Sequence, residues 1–423
     1  MTRIPLLCAM TLWMTVFGLH IDAHAQHPDE PTVTLRDLLT EARQRNPDIR
    51  AARARVNAAQ YRVPQAGALP NPSVMYELNN IGLSSFSIGR TDMSMTGLSF
   101  VQAIPFPGKR GLRTQVAATD VQINEASATA TEFDALSQLK VAYYDLYLIH
   151  QSLIIVDKNR ELLMTFARTA EARYAVGTGI QQDVLKAQVE ISRLIERRKR
   201  LEQRQQAVEA RINSLLARPS TTPVGRPAEV TRTPLQSTLD DLITMVDRQA
   251  PRVRTQDRMI ERQQTGVALA KRDYYPDFDV SASWLTRGGL PDMYQVRVGV
   301  ELPLYYRRKQ RNMVAETQAM VAEAQAERDA TKQMFLAEVR DQYAMAQTAN
   351  EQADLYEQAI IPQATLSLES AVAGYEVGKV DFLTLLDNLM SLLEDELSYY
   401  EKVVEHQQAL ARLEPLVGAT LVE

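Results

Sequence analysis

The sequence predicts a mainly α-helical, internally duplicated protein: a long antiparallel coiled coil joined to β-hairpins that close a barrel only when several copies share them. Three observations carry this. Tyr174-Ala-Val-Gly-Thr-Gly-Ile-Gln-Gln-Asp-Val-Leu185 is matched 201 residues later by Tyr375-Glu-Val-Gly-Lys-Val-Asp-Phe-Leu-Thr-Leu-Leu386, with Val176/Val377, Gly177/Gly378 and Leu185/Leu386 in register. A repeat at that distance means two similar halves. Each half also holds a proline-poor helical pattern far longer than a globular helix, and a pair of alternating segments of roughly the length that crosses a bilayer.

Residues 1–25 read as an export signal outside the fold. Arg3 supplies the charged start, 4–18 the apolar run and Ala23-His-Ala25 a small-x-small cleavage site. The single cysteine, Cys8, lies inside that segment. The mature chain then has no thiol, which excludes disulfides, cysteine nucleophiles and thiolate metal sites. A net charge of -5 argues against a nucleic-acid partner. No apolar run of about 18 residues follows the signal, so a membrane crossing must use strands.

The first structural repeat, 26–217, begins with a helical pattern over 34–67, where Thr34 can cap and Asp37 sits favourably in the first turn. Beyond Pro70 and Pro72 the period becomes two: Val74, Tyr76 and Leu78 alternate with Met75, Glu77 and Asn79. A Gly/Ser-rich loop and a weaker second strand complete a hairpin over 73–104. Pro105, Pro107 and the basic Lys109-Arg110-Gly-Leu-Arg113 follow. The proline-free stretch 112–176 can form a helix on the order of 100 Å long. After the turn at 174–183, a heptad places Ala187, Leu194, Leu201, Val208 and Leu215 on its d positions, a coiled-coil seam.

The proline-rich segment 218–236 reads as the linker between halves. The second repeat, 237–423, then restates the plan. Asp241-Leu-Ile and Ala250-Pro251-Arg-Val-Arg parallel Asp37-Leu-Leu and Asn46-Pro47-Asp-Ile-Arg within a helical pattern over 237–272. A clearer hairpin spans 277–302: Phe278, Val280, Ala282 and Trp284 form one apolar row, and Tyr294, Val296, Val298 and Val300 another. Pro303, a basic cluster at 307–311, a helical region over 310–377 broken only by Pro362, a turn at 375–384 and a closing heptad helix complete it. Glu396 and His406 are the two exceptions to that last heptad.

A single covering hairpin over a soluble core is the commoner use of such alternation. Here there are four strands in an exported chain, with Trp284 and Tyr294 near the strand ends as in an interfacial girdle. Four strands cannot close a barrel, which needs about eight. Hairpins must be shared between protomers, and three copies would supply twelve transmembrane strands.

The duplicated plan, the two Tyr-x-Val-Gly turns, Leu69-Pro-Asn-Pro72 before the first strand and the Pro-then-basic exits (Pro107-Gly-Lys-Arg110; Pro303 to Lys309) resemble the TolC-type outer-membrane efflux protein family. Within it, the Pro-Gly-Lys-Arg exit and the length look most like the outer-membrane components of heavy-metal efflux systems of the resistance-nodulation-division type. The resemblance implies a homotrimer in outer-membrane lipid, with a twelve-stranded barrel above an α-helical tunnel through the periplasm. It implies docking to a periplasmic adaptor (membrane fusion protein) and an inner-membrane pump, with no cofactor and no chemistry on the substrate.

The same resemblance makes Val176, Gly177, Thr178 and Val377, Gly378, Lys379 the adaptor-contacting tips. The family narrows its tunnel entrance with two aspartates three residues apart after the second turn. Those positions are Thr384 and Asp387 here, with Asp381 nearby, so one carboxylate stands where the family has two. Carboxylates brought together by three copies would repel one another and attract cations. No metal site is expected, since His27, His150 and His406 are far apart, and Met93 and Met95 read as loop or lipid-facing side chains. The alternative is a periplasmic coiled-coil adaptor or scaffold, which would carry one helical hairpin between small β-rich domains. The exported substrate, whether metal ion, drug or polypeptide, is not legible at this stage.

Overall fold

In chain order, strand β1 (Thr32–Val33) leads to helices α1 (Leu35–Arg45) and α2 (Pro47–Gly67), strands β2 (Ser73–Asn79) and β3 (Met95–Ile104), and long helices α3 (Lys109–Ala175) and α4 (Gln181–Leu215). Strand β4 (Arg226–Pro227), in the linker, pairs parallel with β1. The second half follows with α5 (Leu239–Gln249), α6 (Pro251–Arg272), β5 (Asp277–Arg287), β6 (Leu290–Glu301), α7 (Gln310–Leu355), α8 (Ile361–Glu376) and α9 (Phe382–Val417). This computed structural model describes residues 32–81, 88 and 93–422, so the export-signal reading lies outside the described residues.

Each half opens with a corner where periodicity suggested one continuous helix. The break falls at Asn46 in the first half and Ala250 in the second, each followed by proline at the first helical position. Proline has no amide to extend the preceding helix, and its fixed φ suits the start of the next. Asn46 adds a side-chain cap, its Oδ1 accepting from the amides of Asp48 and Ile49 at 2.9 and 3.1 Å.

Helix α3 runs 67 residues without a break, about 100 Å at the usual rise. Its counterpart in the second half is interrupted by a π-turn, Tyr356–Ile360, between α7 and α8. The cause is Pro362 one turn further on, which cannot donate an amide and crowds the carbonyl of the preceding turn. Widening that turn by one residue relieves the clash.

Two apolar clusters hold the helices together. One surrounds Leu139, Leu146, Ile212, Leu242, Val404 and Leu413, where α1, α3, α4, α5, α7 and α9 meet the linker. The other, around Leu163, Leu194, Phe382, Leu385 and Leu389, lies toward the turns that end α3 and α8. The two heptad exceptions have structural reasons. Glu396 receives Lys158 at 2.9 Å, and buried His406 places its ring nitrogens 2.7 Å from the carbonyls of Ala346 and Thr233, tying the linker and α7 to α9. The first cluster also encloses an ion pair, Lys140 with Glu414 at 2.7 Å. Glu414 Oε1 further accepts the amides of Leu421 and Val422 at 2.8 and 2.9 Å, so the pair clamps the chain's last residues onto α3.

Candidate functional site

The functional geometry has two ends, the sheet and the turns, separated by the shaft of α3. The four strands form one antiparallel sheet in the order β2-β3-β5-β6, so the two hairpins join edge to edge between β3 and β5. Register aligns the alternating residues into rows across all four strands. Val74, Phe100, Ala282 and Val296 make one row; Tyr76, Leu98, Trp284 and Tyr294 make the next. One face is therefore apolar from edge to edge, and it is uncovered in the single chain: Tyr294 is 81% and Val296 75% exposed.

The opposite face carries Ser99, Ser281, Ser283, Gln295 and Arg297, with Ser283 Oγ and Ser99 Oγ hydrogen-bonded at 2.9 Å. At Gly97, a β-carbon would lie 1.8 Å from the carbonyl oxygen of Trp284, a close approach only glycine permits. Met95 is buried on this polar-facing side, opposite Asn79, and is not lipid-facing; Met93 is exposed.

Where strands meet helices, the first basic cluster forms a joint that the sequence did not disclose. Lys109 is buried, with Nζ 2.9 Å from Asp277 and 3.4 Å from Asp273, and it donates to the carbonyl of Tyr275 at 3.0 Å. Arg110 donates through Nε and Nη2 to the carbonyl of Gly67 at 2.8 and 2.6 Å. The start of α3 is thus locked to the ends of α2 and α6. Pairing across the repeat, from residue 109 to 277, is what hid this joint from local pattern reading.

At the far end, α3 and α8 end in the same turn. Gly177 and Gly378 take φ of 74° and 73°, left-handed values that favour glycine. The amides of Thr178 and Gly179 both bond the carbonyl of Arg173 at 2.9 and 3.0 Å; those of Lys379 and Val380 bond the carbonyl of Gly374 at 2.8 and 3.2 Å. Val176 and Val377 stand out at 73% and 68% exposure, and Thr178 and Lys379 are exposed beside them. The structure brings the two tips together: Arg173 Nη2 donates to the carbonyl of Glu376 at 2.9 Å, and its guanidinium lies 4.3 Å from the centre of the Tyr375 ring.

Asp381, placed by sequence beside the constriction, is the N-cap of α9, its Oδ1 accepting from the Thr384 amide at 2.7 Å. Hydrogen bonds from Thr384 hold its carboxyl below the ordinary range. Asp183, at the start of α4, is pushed upward by partial burial and then by the negative charge of Asp381, so the second aspartate near Asp381 comes from the other half. Thr384 and Asp387 are both exposed, and Ser391 and Glu394 continue their polar stripe along α9, opposite buried Leu385, Leu389 and Leu393. Among the described residues no group of three or more His, Cys, Asp or Glu is placed to hold a metal ion, and no helix is long and apolar enough to cross a membrane.

A sheet that is apolar on one whole face, without a partner at either edge among the described residues and carried on a shaft of about 100 Å, is the arrangement of a channel-type protein. The chain belongs to the outer membrane efflux protein family, whose model matches residues 38–218 and 242–419. It is 21% identical over 395 residues to the cobalt-zinc-cadmium resistance protein CzcC of Cupriavidus metallidurans, covering 91% of this chain and 90% of that protein. Among solved structures it is similar to the outer membrane protein VceC of Vibrio cholerae, with a TM-score of 0.77 at 18% identity over 92% of this chain and 97% of that one. It is likewise similar to CusC, with a TM-score of 0.76 at 16% identity over 90% and 91%. The expected family, the mainly helical duplicated fold and the outer-membrane location therefore hold. The family is one of channels, not of enzymes.

Proposed function

We propose that this chain is the outer-membrane channel of a tripartite efflux system. As a homotrimer it closes a twelve-stranded barrel in outer-membrane lipid, and its helices form a tunnel through the periplasm. Substrate enters from an inner-membrane pump by way of a periplasmic adaptor. The observation that carries this reading is the open sheet: edges β2 and β6 have no partner within the described chain, and one face is apolar on every strand. Other copies that close the sheet in a bilayer would satisfy both the unpaired edges and the exposed apolar rows.

In this reading Val176-Gly177-Thr178 and Val377-Gly378-Lys379 are the adaptor-contacting surface, lying at the end of the shaft away from the sheet. The likeness to a cobalt-zinc-cadmium resistance protein favours metal ions over drugs as cargo. In this reading selection lies mainly with the pump, and the channel passes what it is given.

Membrane fractionation followed by mass measurement in mild detergent tests the core of the proposal. Recovery in the outer membrane as a trimer is expected. A soluble periplasmic monomer or dimer would refute it and return the adaptor or scaffold reading. Thr384, Asp387 and Asp381 mark the narrow periplasmic entrance, with Asp387 supplying its negative ring. In planar bilayers D387A is expected to raise conductance and weaken cation selectivity; unchanged values for both would remove Asp387 from that role.

A further inference from the structure

The two basic clusters occupy equivalent places in the repeat, yet the structure uses them differently. In the first half Lys109 and Arg110 are absorbed by the joint between α2, α3 and β5. In the second half Arg307, Arg308, Lys309 and Arg311 are all exposed, and among the described residues none is within ion-pair distance of a carboxylate. Asp273 and Asp277 both lie against Lys109, in a cleft that Glu301 and Lys309 also line. Three carboxylates, Asp273, Asp277 and Glu301, therefore stand at this strand end against five cations, Lys109 and the four of the cluster.

These cations directly follow the apolar face of β6. Val296, Val298 and Val300 lead through Leu302 to Leu304 and Tyr305, which are 74% and 80% exposed. Tyr306 lies 6.3 Å from Tyr274, and the Arg307 guanidinium sits 5.9 Å from the Tyr306 ring. From Phe278 to Trp284, the apolar rows extend about 20 Å along the strand. Trp284 and Tyr294 therefore mark one boundary of the lipid-facing band, and Tyr274, Tyr305 and Tyr306 mark the other. Aromatic side chains favour that depth, and arginine and lysine just beyond it reach the phosphates.

We propose that residues 302–311 form a binding surface for anionic phospholipid headgroups in the periplasm-facing leaflet of the outer membrane. The apolar Leu304 and Tyr305 insert at the level of the glycerol and upper acyl chain, while Arg307, Arg308, Lys309 and Arg311 surround the headgroup phosphates. Guanidinium groups suit a phosphate diester because their paired donors match its two free oxygens. The proposal rests on the trimeric-barrel reading, and its test begins with a protein already shown to be trimeric in detergent.

The full mature chain, purified in a mild non-ionic detergent, is titrated with phosphatidylglycerol or with phosphatidylcholine of the same acyl chains, and bound lipid per trimer is counted by native mass spectrometry. The wild type is expected to retain phosphatidylglycerol in preference, and high salt should weaken that preference. R307Q/R308Q/K309Q/R311Q should lose apparent affinity for phosphatidylglycerol by at least about tenfold. R307K/R308K/R311K should keep most of it, and R193Q/K199Q/R200Q/R204Q on the shaft should match the wild type.

Equal retention of the two lipids by the wild type would overturn the proposal, without reference to any variant. So would full retention by the glutamine variant, or displacement of the lipid by glycerol phosphate at equal concentration, which would describe a soluble-anion site. If the glutamine variant falls apart into monomers in lipid-free detergent, the surface is a contact between protomers and the lipid assignment fails. A wild type that is not trimeric overturns the channel reading instead.

Discussion

Arg173 is the side chain whose replacement says most about how the two tip turns are held together. Its hydrogen bond to the Glu376 carbonyl and its position over Tyr375 join the first tip turn to the second. Tyr375 is in turn held by Phe382, edge-on at 5.8 Å. R173M keeps most of the aliphatic body and removes both polar contacts. A partly exposed hydrogen bond contributes about 1 kcal/mol and an exposed cation–π contact about 0.5–1 kcal/mol. A loss of about 1–2 kcal/mol moves the equilibrium between joined and parted turns five- to thirtyfold. Single R173M channels in a planar bilayer should accordingly dwell longer at high conductance, and R173K should fall between, since lysine keeps the charge but not the planar fork. Dwell times and conductance equal to wild type would refute the idea that this contact holds the turns together. A lowered melting temperature with unchanged conductance would assign Arg173 to stability alone.

K140M leaves the buried Glu414 carboxylate with only the amides of Leu421 and Val422 and should cost about 3–5 kcal/mol; K140M/E414Q, which removes both charges but keeps a side-chain oxygen to accept from those amides, should recover most of the melting temperature, and a K140M melt equal to wild type would refute the clamp. G374A would place a methyl 2.5 Å from Val380 Cγ2 and destabilise the second turn by about 1–3 kcal/mol, and adding V380G, which copies the first turn, should restore resistance to proteolysis at the tip. The Arg218 guanidinium, bonded to Glu41 at 2.9 Å, holds that carboxyl below its ordinary value. Its stabilisation is therefore full above the ordinary glutamate range and lost as pH falls through the lowered value, so the melting temperatures of wild type and R218Q should differ at pH 6 and converge toward pH 3.

The sequence disclosed what repeats and what alternates. Period-two runs located β5 and β6, where alternation holds over 278–284 and 294–300, and the Tyr-x-Val-Gly pair located both turns, because a left-handed residue there favours glycine. The breaks at Asn46 and Ala250 were present as X-Pro pairs but were masked by helical periodicity continuing on either side. The π-turn at 356–360 was displaced from its cause, Pro362, since the clash falls one turn upstream. Lys109 with Asp277, Lys140 with Glu414 and Arg173 with Glu376 pair residues 168, 274 and 203 positions apart, and nothing local in a sequence marks such partners. The polar role of His406 was equally invisible, because its acceptors are backbone carbonyls.

Duplication leaves a control inside the molecule, since one backbone plan is solved twice with different side chains. In the first tip the small residue is Gly179, and the bulkier Arg173 stands opposite; in the second it is Gly374, and Val380 stands opposite. The turn therefore demands a small residue on one side of a fixed pair of positions and leaves open which side. Freed from that choice, the first tip can place a long cation at 173 that reaches the second, whereas Gly374 has nothing with which to reach back. The same asymmetry divides the basic clusters, one neutralised by aspartates of the opposite half, the other left open at the edge of the apolar band. Where the halves agree the residues serve the backbone, and where they diverge they are free to meet another half, another copy or the membrane.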